Sequence, residues 1–333
     1  MSYNRAVAGG EGARAGVASS VWSSAAAGEQ REVWRQAEEW AAAADLGKRG
    51  MLRARGAAFL LGTAGAALGA LGGSTLAGAP TAARLLGLGS AVAVVLAGFI
   101  GREFLGESQE LAWSRARILA EALRREVWLS LMRVPPYDGF EAANTILQTA
   151  ERLQQNTGLH RTARAHWEPA PFPEATTLTD YARLRLDGQI AFYGMSWRRA
   201  DRRTRRWRAA AALLAGAATV LGLGVVTSPT LPAWVPVLTT AAAATAAHLR
   251  ALRLEAVLPL FQEAEHQLRL KRAAFDGGHV TQRAAFVHAC EDIMSRENQS
   301  WRAEWKRPLA DATAGADAEE ETRPPTKSPP IGA

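Results

Sequence analysis

The sequence predicts an all-α integral membrane protein with four transmembrane helices in two hairpins, plus long cytoplasmic amphipathic helices. Three observations predict it: long stretches without a charged residue, arginine clusters flanking them, and apolar positions recurring at helical spacing. Residues 56–83, 85–101 and 209–247 contain no charge at all. A helix of about 20 apolar residues crosses the roughly 30 Å hydrocarbon layer, since each residue advances it by about 1.5 Å. Averaged over the chain, arginine-rich segments mask this pattern and the hydropathy looks that of a soluble protein.

The first span is placed at about 56–76, and Gly78 with Pro80 makes the turn. Arg84 closes that turn, and the second span, about 85–101, ends at Arg102. The third span is about 209–226, followed by a turn from Ser228-Pro229 to Pro232. The fourth, about 234–249, is alanine-rich and has Pro236 near its start. Uncharged stretches paired through short turns and flanked by arginine outweigh the alternative of a soluble bundle with buried Ala/Gly-rich helices.

Orientation follows from the distribution of positive charge, which accumulates on the cytoplasmic side of short loops. Lys48, Arg49, Arg53 and Arg55 precede the first span, seven arginines between 198 and 208 precede the third, and Arg250 and Arg253 follow the fourth. The hairpin tips carry only Arg84. Both tips therefore face outward and both chain ends face the cytoplasm, at the cell membrane. The net charge of +7 is read as topology and anionic-lipid contact, with no nucleic-acid partner expected.

The chain is built twice: a basic helix, a membrane hairpin, then a long charged amphipathic helix. The expected units are a disordered leader 1–27, a first two-span unit 28–134, a linker 135–179, a second two-span unit 180–307 and a disordered tail 308–333. Trp34, Ala37, Trp40, Ala41 and Ala44 mark an apolar stripe leading into the first span. Trp113, Ala116, Ala120, Leu123, Val127 and Leu131 mark another after the second, ended by Pro135-Pro136. In the second unit Leu254, Leu258, Phe261, Leu268 and Phe275 form a stripe, and a last helix carries Phe286, Cys290, Ile293, Glu297, Trp301 and Trp305. The Pro/Thr-rich stretch 167–179 reads as the linker proper.

These residues also carry a likeness. Trp113-Ser114-Arg115-Ala116-Arg117, then Ala120-Glu121-Ala122-Leu123 and Glu126-Val127-Trp128, resembles the DUF4231 family. Tyr181, Arg185, Asp187-Gly188-Gln189-Ile190, Tyr193, Glu297-Asn298 and Trp301 resemble its relatives. Together they are similar to the SMODS- and SLOG-associating two-transmembrane effector domains, the SLATT superfamily, in two tandem units over most of 28–307. The resemblance implies a membrane effector of a bacterial conflict or antiviral defence system. By that resemblance the chain is expected to oligomerise and to perturb or perforate the membrane when a partner sensor or nucleotide signal triggers it.

Two groups of residues are candidates for that role. Gly65, Gly69 and Gly73 in the first span, and Gly89, Ala93 and Ala97 in the second, recur every fourth residue and let helix backbones approach closely. They could join subunits as a homo-oligomer around a pore, or hold one hairpin together. Trp113, Arg117, Glu121, Arg124 and Trp128 form a stripe suited to docking between subunits, or between hairpin and cytoplasmic bundle; an amphipathic helix covering its neighbours looks the same. Arg117 and Glu121, four apart, are placed to pair.

Enzymatic chemistry finds no footing, and no catalytic residue, cofactor or metal is expected. His160, His166, His248, His266, His279 and His288 lack metal-ligand spacing with carboxylates. Cys290 and His288 are two apart, which points them away from each other on a helix. The Gly222-x-Gly224 pair lies inside a span, where it cannot be a phosphate loop. The spans carry no charged side chain of the kind that coordinates a transported solute, which disfavours a transporter but not a membrane scaffold or adaptor.

Overall fold

The structure, a computed structural model, describes residues 8–74, 79–139, 141–159, 170–223, 234–252 and 254–296. Nine α-helices and one π-helical turn are found among them, and no strand. The fold is all-α. α1 (Ala8–Ser74) is a single helix of 67 residues, about 100 Å long, that carries both the cytoplasmic stripe and the first apolar stretch. The leader, expected to be disordered, is therefore helical from Ala8 onward. Once a helix is nucleated and packed, extending it costs little per residue.

α2 (Pro80–Phe104) begins with proline at its first helical position, where the missing N–H has no helical partner to lose. α3 (Glu107–Leu131) follows. α4 (Ala142–Gln155) falls inside the segment expected to be a linker. It forms because Ala142, Ile146 and Ala150, at spacing four, are all buried against the core, while the polar residues between them face out. The linker expectation is corrected accordingly: much of 135–179 is part of the packed bundle.

α5 (Leu178–Tyr181) starts at a reciprocal cap: Asp180 N–H donates to Thr177 Oγ1 at 3.1 Å, and Thr177 N–H donates to Asp180 Oδ2 at 3.1 Å. A π-helical turn (Ala182–Leu186) joins it to α6 (Asp187–Leu223). α7 (Val235–Ala251), α8 (Leu254–Asp276) and α9 (283–296) complete the order. The tail 308–333, together with Glu297, Trp301 and Trp305, lies outside the described residues.

Among the described residues two helices are long and apolar enough to cross a membrane, Ala27–Gly73 within α1 and Pro80–Phe104. Only 6 % of each apolar window is buried inside the protein, so these are not core helices of a soluble bundle. Leu60, Leu85, Leu88, Val92, Val95 and Phe99 all stand exposed, although water would penalise each. α6 and α7 pack on each other, and Leu213, Val220 and Leu223 are exposed in the same way. Residues 224–233, with the expected second turn, lie outside the described residues. Neither helix meets the length and composition of a span over its described residues alone.

α1 is the spine: it packs on α2, α3, α4 and α7, while α6 packs on α7 and α8. The core lies at the end away from the apolar hairpin. Val33, Ala37, Trp40 and Ala44 of α1 meet Ala116, Leu119, Leu123 and Val127 of α3, with Leu268, Val287 and Cys290 in the same cluster.

Candidate functional site

The α1–α2 hairpin is held by the small residues at its seam. A Cβ added at Gly65 would lie 3.0 Å from Val94 Cγ2, 3.2 Å from Ser90 O and 3.3 Å from Ala93 Cβ. One at Gly69 would lie 3.0 Å from Ser90 Oγ, and that hydroxyl donates to Gly65 O at 2.7 Å. Gly72, which the spacing argument missed, belongs to the same seam, 3.2 Å from Ala83 O. Gly73 meets nothing within 4 Å, and Gly89 meets only Leu68, at 3.5 Å. Ala93 is buried and Ala97 half-buried. Gly65 and Gly69 thus face the second helix of their own hairpin.

The tryptophan–arginine stripe of α3 turns inward. Trp113 is buried with Lys48 over its ring at 6.0 Å, and Arg117 lies over Phe192 at 5.7 Å. Trp128 is buried edge-on against Tyr181 at 5.8 Å. The pairing expected between Arg117 and Glu121 is replaced: Glu121 accepts from Arg124 Nη1 at 2.7 Å. Arg124 Nε also donates to Glu38 of α1 at 2.8 Å. These three charged groups link α1 and α3.

The chain of charges continues into the second half. Arg185, in the π-helical turn, lies 4.0 Å from Glu121 and pairs bidentately with Glu291 of α9, Nε to Oε1 at 3.0 Å and Nη2 to Oε2 at 2.9 Å. Tyr181 O–H donates to Glu291 Oε1 at 3.0 Å. Glu291 is fully buried and Arg185 nearly so. The capped start of α5 fixes Tyr181, and the wider π turn places Arg185 beside it. Local π geometry of this kind recurs at functional positions. Sequence reasoning missed Arg185–Glu291 as a pair.

The electrostatics are those of a closed network. Burial would raise the Glu121 carboxyl, but Arg124, Arg185 and Arg117 outweigh it and hold the group below its ordinary range. Burial would lower the Arg185 guanidinium, but Glu291 and Glu121 keep it charged well beyond any accessible pH. Burial and the Glu291 charge raise the Tyr181 hydroxyl well above its usual value, so it remains a donor. Cys290 beside it is buried, and burial with Glu291 pushes its thiol up to about 12. Beside this pair α9 is fixed a second time, through Asp292 and Arg125 Nη2 at 3.0 Å. This network fastens α9 and the π turn to α3, and α3 to α1.

A group of three or more metal-ligating side chains is not found among the described residues. No curated protein and no solved structure matches the chain significantly. One family model does match, over residues 181–301, a segment that begins at Tyr181 and takes in Arg185, α6, α7, α8 and Glu291. Both sides of the buried ion pair fall inside it. Residues 181–301, rather more than a third of the chain, are thus similar to the SMODS and SLOG-associating 2TM effector domain 1.

Proposed function

We propose that the protein is a four-span, non-enzymatic membrane effector of a bacterial defence system. Its two hairpins are held inactive by the cytoplasmic bundle until a partner sensor or nucleotide signal releases them. One observation carries this reading. A two-span family model falls on the second half of the chain, while the two helices most clearly apolar enough to span lie in the first. Adding them gives four spans at about 56–76, 85–101, 209–226 and 234–249. With arginines beside all the charged ends, both termini are cytoplasmic and the protein is multi-pass.

The buried charge network supports the inactive hold. Glu38, Arg124, Glu121, Arg185 and Glu291 fasten the helix that runs into the first span to the helix that runs into the third. Withdrawal of Arg185 from both Glu121 and Glu291 would free both, and the exposed leucine and valine faces of the spans would then meet other copies. Homo-oligomerisation that perturbs or perforates the membrane follows from that exposure.

A non-perforating scaffold is favoured by one observation: Gly65 and Gly69 are already occupied inside their own hairpin. The two readings separate in cells. Arg185→Ala, at wild-type abundance in the membrane fraction, should collapse the dye-reported membrane potential without any trigger, and the wild type should not. An intact potential in the variant at normal abundance would favour the scaffold.

A further inference from the structure

A cleft of about 330 Å³ opens between α1, α3, α6 and α8, next to the charge network and joined to it through Arg117, which also acts on Glu121. Its cations come from three helices: Lys48 and Arg55 from α1, Arg117 from α3, Arg199 and Arg203 from α6. Lys48 and Arg55 are seven apart and Arg199 and Arg203 four apart, so each pair shares a helix face turned into the cleft. Asp45 is the one carboxylate in the lining. Lys48, Arg117, Arg199 and Arg203 make no carboxylate ion pair among the described residues. Trp113, Phe192 and Phe261 supply aromatic walls.

Lys48, Arg117, Arg199 and Arg203, brought to one cavity whose lining holds a single acid, repel one another, which folding tolerates only where an anion or water offsets the charge. The Lys48 side chain stays solvent-accessible, yet it registers this crowding. Partial removal from water, and repulsion by Arg117, Arg203 and Arg199 against attraction from Asp45, hold its ammonium below the ordinary lysine range. The location adds a second argument. Arg55 directly precedes the apolar run that begins at Gly56, Arg203 lies shortly before the one that begins at Ala209, and Leu252 directly follows α7. The cleft therefore sits where three helices pass together from charged to apolar sequence. That is the level of the phospholipid phosphates on the cytoplasmic side.

We infer that this cleft is a binding site for a phosphate group, presented by an anionic phospholipid headgroup or by a soluble phosphate ester. Arg117, Arg199 and Arg203 contact the phosphate, and the aromatic walls flank the group attached to it. Guanidinium forks suit phosphate oxygens, and interfacial cations attract anionic lipid. The level at which the cleft sits rests on the four-span reading. Occupancy would brace α1, α3 and α6 against one another directly beside Glu121, so binding would act on the same network that holds the hairpins.

The test uses the full-length chain, purified from phosphatidylglycerol/phosphatidylcholine membranes, with bound lipid measured by native mass spectrometry. Adenosine monophosphate is titrated separately into lipid-stripped protein. Arg117→Gln/Arg203→Gln is compared with Arg202→Gln/Arg206→Gln, which removes the same charge from exposed positions outside the cleft. A lipid site gives phosphatidylglycerol retention that the first variant weakens about thirtyfold and the second leaves largely intact. A soluble-ester site gives adenosine monophosphate binding with that same variant pattern and no lipid retention. Equal loss in both variants, or binding of neither probe by the wild type, overturns the site. Resistance to alkaline carbonate washing is read in parallel. A protein that washes off the membrane fails the spanning reading, whereas one that stays but binds no phosphate fails the cleft alone.

Discussion

Arg185→Ala is the most informative perturbation of the fold. The side chain is almost fully buried and makes two charged hydrogen bonds of 3.0 and 2.9 Å to a carboxylate that is itself buried. Its removal leaves Glu291 with the Tyr181 hydroxyl as its hydrogen-bond donor among the described residues, a neutral group facing a buried charge. Breaking a buried pair from one side costs about 3–5 kcal/mol, a large part of a domain's net stability. In a unit of this size that corresponds to a fall of about 6–20 °C in the unfolding midpoint. Glu291→Ala should cost less, because Arg185 retains Glu121 at 4.0 Å. Arg185→Met/Glu291→Leu removes both charges and should lie within about 2 kcal/mol of wild type, since an apolar pair of similar volume avoids the desolvation cost. The assay is thermal unfolding of the detergent-solubilised chain by circular dichroism. Refutation would be a single-variant shift under about 2 °C, or a double variant as unstable as the two singles combined.

Three further expectations follow from the same geometry. Gly65→Leu should lower abundance in the membrane fraction because its side chain meets Ser90, Ala93 and Val94, whereas Gly73→Leu, facing open space, should not; equal effects on immunoblots would remove the seam. Glu121 has a folded pKa below its ordinary 4.5, so its contribution to stability is complete above about that pH and is lost as pH falls through the lower folded value. Midpoints measured from pH 7 down to pH 3 should therefore drop in the acid limb, and less steeply in Glu121→Gln; an identical slope would contradict the assignment. Cysteine at Ala79 should react with an impermeant thiol reagent from outside and cysteine at exposed Gln155 should not, the reverse pattern inverting the topology. Native Cys290 should stay silent from either side because it is buried with its thiol at about 12.

The first hairpin was legible because charge-free length is a signal a single sequence carries in full. The core faces of α1 and α3 were legible for a similar reason: Ala37, Trp40 and Ala44, and Ala116, Ala120 and Leu123, keep helical spacing. α4 was not legible, since its three buried residues, two of them alanine, are outnumbered by Asn, Thr, Gln and Arg. The charge network was hidden for a different reason. Glu38, Arg124, Arg185 and Glu291 look like ordinary surface charges, and Arg185 is 106 residues from its partner. Nothing local distinguishes a glutamate that will be buried from one that will stay wet. Glu121 was expected to pair with Arg117, yet its ion-pair partners are Arg124 and Arg185, because the helix turns it toward the second half of the chain. The glycine stripe shows the converse: spacing identified a close contact but did not specify whose backbone would fill it.

Release of the charge network as the event that frees the hairpins is tested most directly in sealed vesicles. Wild type, Arg185→Ala and Arg185→Met/Glu291→Leu are reconstituted at equal protein-to-lipid ratio into liposomes loaded with a self-quenching dye. Arg185→Ala should release the dye, while the wild type and the apolar double variant, whose seam remains packed, should retain it. Vesicles that stay sealed with Arg185→Ala fully inserted, or that leak equally with all three, would contradict the proposed mechanism.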